Sequence, residues 1–153
     1  MMKLFFSLFL AAAVFISCND ESSNNTSPGD KAEADTLYKE VMNGHNIGMA
    51  KMPRLEEAQA GVRRMLDSIG RLPEAARQAS ADLETRLKKL SGDIQQAQDG
   101  MNKWMEDFKY DSAKNDIAQR IKYLADEKVR VTKVKEDILH SLQQADSVVR
   151  SKF

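Results

Sequence analysis

An all-α fold, an elongated antiparallel up-down-up three-helix bundle with coiled-coil-like seams, is predicted by three observations. The 153 residues include only three prolines and seven glycines. Charged residues, at 30%, are spread through long Ala/Leu/Gln/Lys/Glu stretches with little β-branching, as in coiled-coil proteins. Apolar residues then recur at alternating spacings of four and three, the mark of helices that bury one seam.

The chain opens with an address. Lys3 precedes Leu4 to Ile16, a thirteen-residue apolar stretch broken only by Ser7. This has the form of a secretory signal and is too short to span a bilayer. Phe15-Ile16-Ser17-Cys18 follows and resembles a bacterial lipobox, in which the cysteine is acylated and becomes the new N-terminus. Residues 1–17 are therefore expected to be a signal peptide and Cys18 a lipidation site carrying palmitate-like chains. Two or more chains, at about 0.8 kcal/mol per buried methylene, anchor a protein stably. Asn19 to Asp30 contains no apolar residue, so residues 18–31 are expected to form a polar tether with a reach of roughly 20 Å. Asp20 and Glu21 resemble the acidic signal that sends some Gram-negative lipoproteins to the surface, leaving periplasmic and surface-exposed placement in the outer membrane both open.

The bundle is expected over 32–153, with helices near 32–69, 73–110 and 113–150. In the first, Tyr38, Met42, His45, Met49 and Met52 form a seam that resumes one residue early at Leu55, Gln59, Val62, Leu66 and Ile69. Pro53 at that phase break predicts a bend just before it, and Gly70 a C-terminal stop. The second seam, Leu83, Leu87, Leu90, Ile94, Ala97, Met101, Trp104 and Phe108, is unbroken, and Pro73 suits its first turn. The third runs through Ile117, Ile121, Leu124, Lys128, Val131, Lys135, Ile138, Leu142, Ala145 and Val149, with the two lysines snorkelling and Asp111 or Ser112 as N-cap. His140 lies off this seam and is expected in solvent. Short connections near 70–72 and 110–113 make neighbours antiparallel. Helices of about 36 residues are near 54 Å long, which makes the domain a rod.

Several activities are excluded by composition. Two histidines and one cysteine cannot supply a Cys/His zinc site, a disulfide framework or a Cys-x-x-Cys centre. Twenty-three basic residues balance 23 acidic ones, so nothing favours a nucleic-acid partner. Folding about residue 71 sets Met42 opposite Met101, Tyr38 opposite Met105 and His45 opposite Ala97 or Gln98. Met42, His45, Met49, Met101 and Met105 then gather at one end beside Trp104. Thioether and imidazole suit Cu(I) or Ag(I), and a His/Met pair suits haem iron. Core filling is the commoner use of seam methionines and a tryptophan, and in that reading there is no cofactor. Gly44 and Gly48, costly in a helix, predict that another helix approaches that face closely. Thr36, Ser68, Ser112 and Ser147 each lie between an Asp and an apolar residue, resembling O-glycosylation acceptors of some Gram-negative envelopes. Helix capping by Asp and Ser would produce the same pattern.

Val41-Met42 with His45, Met49, Lys51 and Met52, then Met101, Trp104, Met105 and Phe108, then Val134 to Ile138, resemble short envelope lipoproteins labelled "viral A-type inclusion protein". The likeness covers about 37–149. It implies a helical envelope lipoprotein, and the label carries no viral function. The family's acidic residue after the histidine and proline after the next methionine are Asn46 and Ala50 here. The expected function is accordingly a non-catalytic helical spacer or interaction module, membrane-held by lipid, with a protein partner or self-association.

Overall fold

A computed structural model describes residues 27–150. The expected signal peptide, the expected lipidation site Cys18 and the side chain of Val149 lie outside the described residues. The described chain is all-helical: α1 Pro28–Met49, α2 Met52–Gly70, α3 Glu74–Ala79, α4 Ala81–Asp107 and α5 Ile117–Arg150. No helix among the described residues is long and apolar enough to cross a membrane.

α1 begins four residues inside the expected tether. Ser27 caps it by accepting the Gly29 N–H at 3.0 Å, Pro28 fills the first helical position and Asp30 lies in the first turn. Ser-Pro-Gly-Asp is thus a helix start rather than spacer, since proline's missing N–H and fixed φ suit that position. In place of one helix with a bend there are two, separated at Ala50 and Lys51. Pro53 is the second residue of α2, where it needs no N–H; its ring would clash with the Met49 carbonyl if the helix continued. Gly70 is the last residue of α2, capped by Arg71, and no glycine among the described residues has positive φ, so the stop does not use the left-handed conformation.

The second predicted helix is also divided. Pro73 precedes the six-residue α3, and Ser80 separates it from α4. α4 ends at Asp107 because Phe108 turns extended, with φ −64° and ψ 121°. Between Phe108 and Asp116 the chain is a loop in which Ala113 takes φ 53°. Asp116, rather than Asp111 or Ser112, caps α5 by accepting the Gln119 N–H at 3.0 Å. That moves the start of α5 from 113 to Ile117.

α5 lies along α1 and α4, α2 packs mainly on α4, and α2 meets α5 over a shorter stretch. Lys128 bonds Glu40 and Asp146 bonds Arg54, so α1 and α2 run parallel to α5. Trp104 meets Glu127 and Phe108 meets Tyr123, so α4 runs antiparallel to it. The core is the predicted α4 seam, Leu87 to Trp104, closed by Leu124, Val131, Ile138, Leu142 and Ala145 of α5. Lys128 is half-buried with its ammonium on Glu40 at 2.8 Å, which is the snorkelling expected of it, and His140 is exposed.

The buried stripe of α1 differs from the expected one. It is Ala34, Val41, Gly44 and Gly48, with Leu37 half-buried; Tyr38, Met42 and His45 flank it and Met49 is exposed. Two glycines hold seam positions because Val131 of α5 and Met101 of α4 stand too close for side chains there. A Cβ on Gly44 would stand 3.0 Å from Val131 Cγ1, and one on Gly48 would overlap the Met101 methyl.

Candidate functional site: an aromatic–polar end and an open trough

The hairpin register decides which predicted residues meet. His45 lies against Trp104, with ring centres 5.5 Å apart, where folding about residue 71 placed it opposite Ala97 or Gln98. The displacement is nearly two helical turns of about 3.6 residues. It arises because residues 71–80, including α3, are consumed in the connection. Met101 accordingly faces Gly48 instead of Met42.

The five soft-ligand candidates have different surroundings. Met101 is fully buried, Met42 and His45 are half-buried, and Met49 and Met105 are 36% and 38% exposed. His45 Nδ1 is 3.1 Å from Asn46 Oδ1 and its ring tilts over the indole. The structure thus brings His45 to Trp104 and Met101 to Gly48. No group of three or more His, Cys, Asp or Glu among the described residues is arranged to hold a metal ion.

At the same end Trp104, Phe108 and Tyr123 stack in succession, with centroids 5.0 and 6.1 Å apart. Nothing in the seam spacing marks what fixes the indole. Trp104 Nε1 donates to Glu127 Oε2 at 2.9 Å, and Arg130 donates to Glu127 Oε1 at 2.7 Å and to Asp107 at 3.0 Å. Glu127 is only 3% exposed. A carboxylate so buried must be paired, and with a donor on each oxygen it is a clamp rather than a base. Lys103 adds hydrogen bonds of 3.0 and 3.1 Å to Asp107. These, partly offset by desolvation and reinforced by Arg130, hold the Asp107 carboxyl below its ordinary range. Glu127 sits one residue before Lys128, off the four-three seam, so spacing gives no signal for it.

Of the four candidate acceptors, Thr36 and Ser68 are exposed on helices and bond back to Ala32 O and Arg64 O, both at 2.8 Å. Ser147 is exposed on α5, and Ser112 is half-buried in the loop. Ser112 O accepts from Arg120 at 2.9 Å. Ser27 and Asp116 cap α1 and α5, so helix capping does not account for these four positions.

A second surface was not read from the sequence. Where α2 diverges from α5, a trough opens in two parts on either side of the Arg54–Asp146 ion pair. One part, ≈ 480 Å³, is bounded by Lys51, Leu139 and Gln143. The other, ≈ 290 Å³, is lined by Ala58, Gly61, Val62 and Met65 of α2, Leu90 of α4, and Leu142 and Ala145 of α5. Arg54 Nη2 reaches both carboxylate oxygens of Asp146, at 2.8 and 2.6 Å. No protein-family model, curated protein or solved structure matches the chain.

Proposed function

We propose that this protein is a cell-envelope lipoprotein, anchored through acylated Cys18, whose helices form an elongated up-down-up three-helix bundle acting as a non-catalytic spacer and protein-interaction module. The observation that carries the interaction role is the α2–α5 trough. It is an open channel whose walls are helices, polar around Lys51, Gln143 and the Arg54–Asp146 pair and largely apolar from Ala58 to Met65, and it follows the chain axis from Lys51 to Met65. That shape suits a helix lying in it better than a small molecule enclosed by it. The interior elsewhere is filled by seam residues, which suits a rigid strut.

The anchor is supported by sequence: one cysteine, placed at the end of the apolar segment and followed by polar residues. In this reading lipid alone provides membrane attachment. Cys18→Ala should release the protein from the membrane fraction and abolish incorporation of labelled fatty acid. Tight membrane association of the variant, with the N-terminus of the parent protein left unprocessed, would overturn it. Crosslinking in the intact envelope should trap one dominant neighbour.

A further inference from the structure

We propose that the occupant of the α2–α5 trough is a second copy of this chain, its α2 lying antiparallel across the first around Gly61. This inference rests on the interaction-module reading and names the partner. On a helix, Arg54, Ala58, Gly61 and Met65 follow the 4, 3, 4 spacing of one stripe, and the structure turns that stripe into the trough. Glu57 and Arg64 border it, both on the same flank at 100° per residue. They lie seven residues apart, a rise of about 10 Å, too far to pair with each other. Neither forms an ion pair among the described residues.

Their spacing is self-complementary. Opposite charges stand at equal distances on either side of a point between Ala60 and Gly61. A twofold axis through that point sets Glu57 beside the partner's Arg64 and Arg64 beside the partner's Glu57, on the matching flanks of two antiparallel helices. An isologous contact needs this self-matching, and an unrelated helix would have no reason to produce it. The centre also has room for a backbone. A Cβ on Gly61 would meet only Arg64 Nη2, at 3.8 Å, the far end of a flexible side chain. Gly61 is therefore not required by packing within this chain, in contrast to Gly44 and Gly48. Glycine in a helix interior lowers helix stability, and close approach of the partner's α2 gives it a use.

The test uses the full chain carrying Gly61→Cys, expressed in its native cells and treated with a mild oxidant; the parent chain, whose one cysteine is Cys18, is the control. A disulfide dimer at twice the chain mass is expected from the variant and not from the parent. Adding Glu57→Arg or Arg64→Glu makes both inter-copy pairs repulsive and should lower the dimer yield about tenfold. The double exchange Glu57→Arg/Arg64→Glu should restore it. A dimer whose yield ignores both single reversals overturns the proposed register. Capture of a different protein at position 61 overturns the second copy as occupant while leaving the interaction module standing, and the absence of any adduct overturns both. Gly61→Gln, a better helix former in open space, should raise the unfolding temperature of the monomer while abolishing the dimer. Dimerisation unaffected by that change would also overturn the proposal.

Discussion

The glycines separate two reasons for the same residue. At Gly92 an added Cβ meets nothing within 4 Å, so only helix propensity acts, and Gly92→Ala should stabilise by about 1 kcal/mol. At Gly44 the obstacle is Val131, fully buried and β-branched, which has no free rotamer to yield. The methyl must then push α1 away from α5, at a cost of about 1–3 kcal/mol that exceeds the propensity gain. Thermal unfolding should show Gly92→Ala rising by about 2–4 °C and Gly44→Ala falling. Equal shifts in the same direction would mean that α1 and α5 are not so close. The sequence announced the close approach through two costly glycines beside His45. It did not announce that they were the seam itself, because a seam is read from apolar side chains and these have none. The stripe was consequently placed one residue away, on Tyr38, Met42, His45 and Met49.

At the scale of elements, the α4 seam was the most legible: every member from Leu87 to Trp104 is buried, and its two ends, Leu83 and Phe108, are half-buried. Boundaries were less legible wherever a local conformation interrupts a favourable pattern. Examples are Ser80 between α3 and α4, and Ala113 at positive φ before α5. The register of the α2–α4 hairpin failed for the same reason, since the small α3 lengthens the turn without disturbing the heptads on either side. α4 and α5 are joined by the polar chain Trp104, Glu127, Arg130, Asp107 and Lys103, whose acid response follows from Asp107. Its folded-state carboxyl is held below the ordinary value of about 3.9, chiefly by the Lys103 hydrogen bond, so the folded state binds its proton less readily than the unfolded chain. The stabilisation is fully present above about pH 4 and is lost as pH falls through the lowered folded value. Melting temperatures measured from pH 7 to 2 should therefore drop more steeply below about pH 4 in the parent than in Asp107→Asn. Parallel curves would remove Asp107 from the account of α4–α5 cohesion.

For the whole molecule, the proposed arrangement has a geometric consequence that compact folding would not. α1 and α2 together run 43 residues from Pro28 to Gly70 at about 1.5 Å each, near 65 Å, whereas a compact chain of 153 residues has a radius of gyration near 15 Å and a diameter of about 40 Å. The nearly helical backbone at Ala50 and Lys51 keeps the two segments roughly in line. Gly61 lies far along this axis, about 50 Å from Pro28. Antiparallel docking around Gly61 therefore overlaps only the far halves of two copies and sends their N-terminal ends in opposite directions, about 100 Å apart. If both ends carry lipid, the pair either lies flat with two anchors in one membrane or spans between two facing membranes. A parallel dimer would bring both anchors together. Small-angle X-ray scattering of the disulfide-linked Gly61→Cys protein should give a maximum dimension of at least about 100 Å, well beyond the single rod. A value near 65 Å would mean that the copies lie side by side with their tethers at the same end, and the twofold pairing of Glu57 with the partner's Arg64 would fail with it.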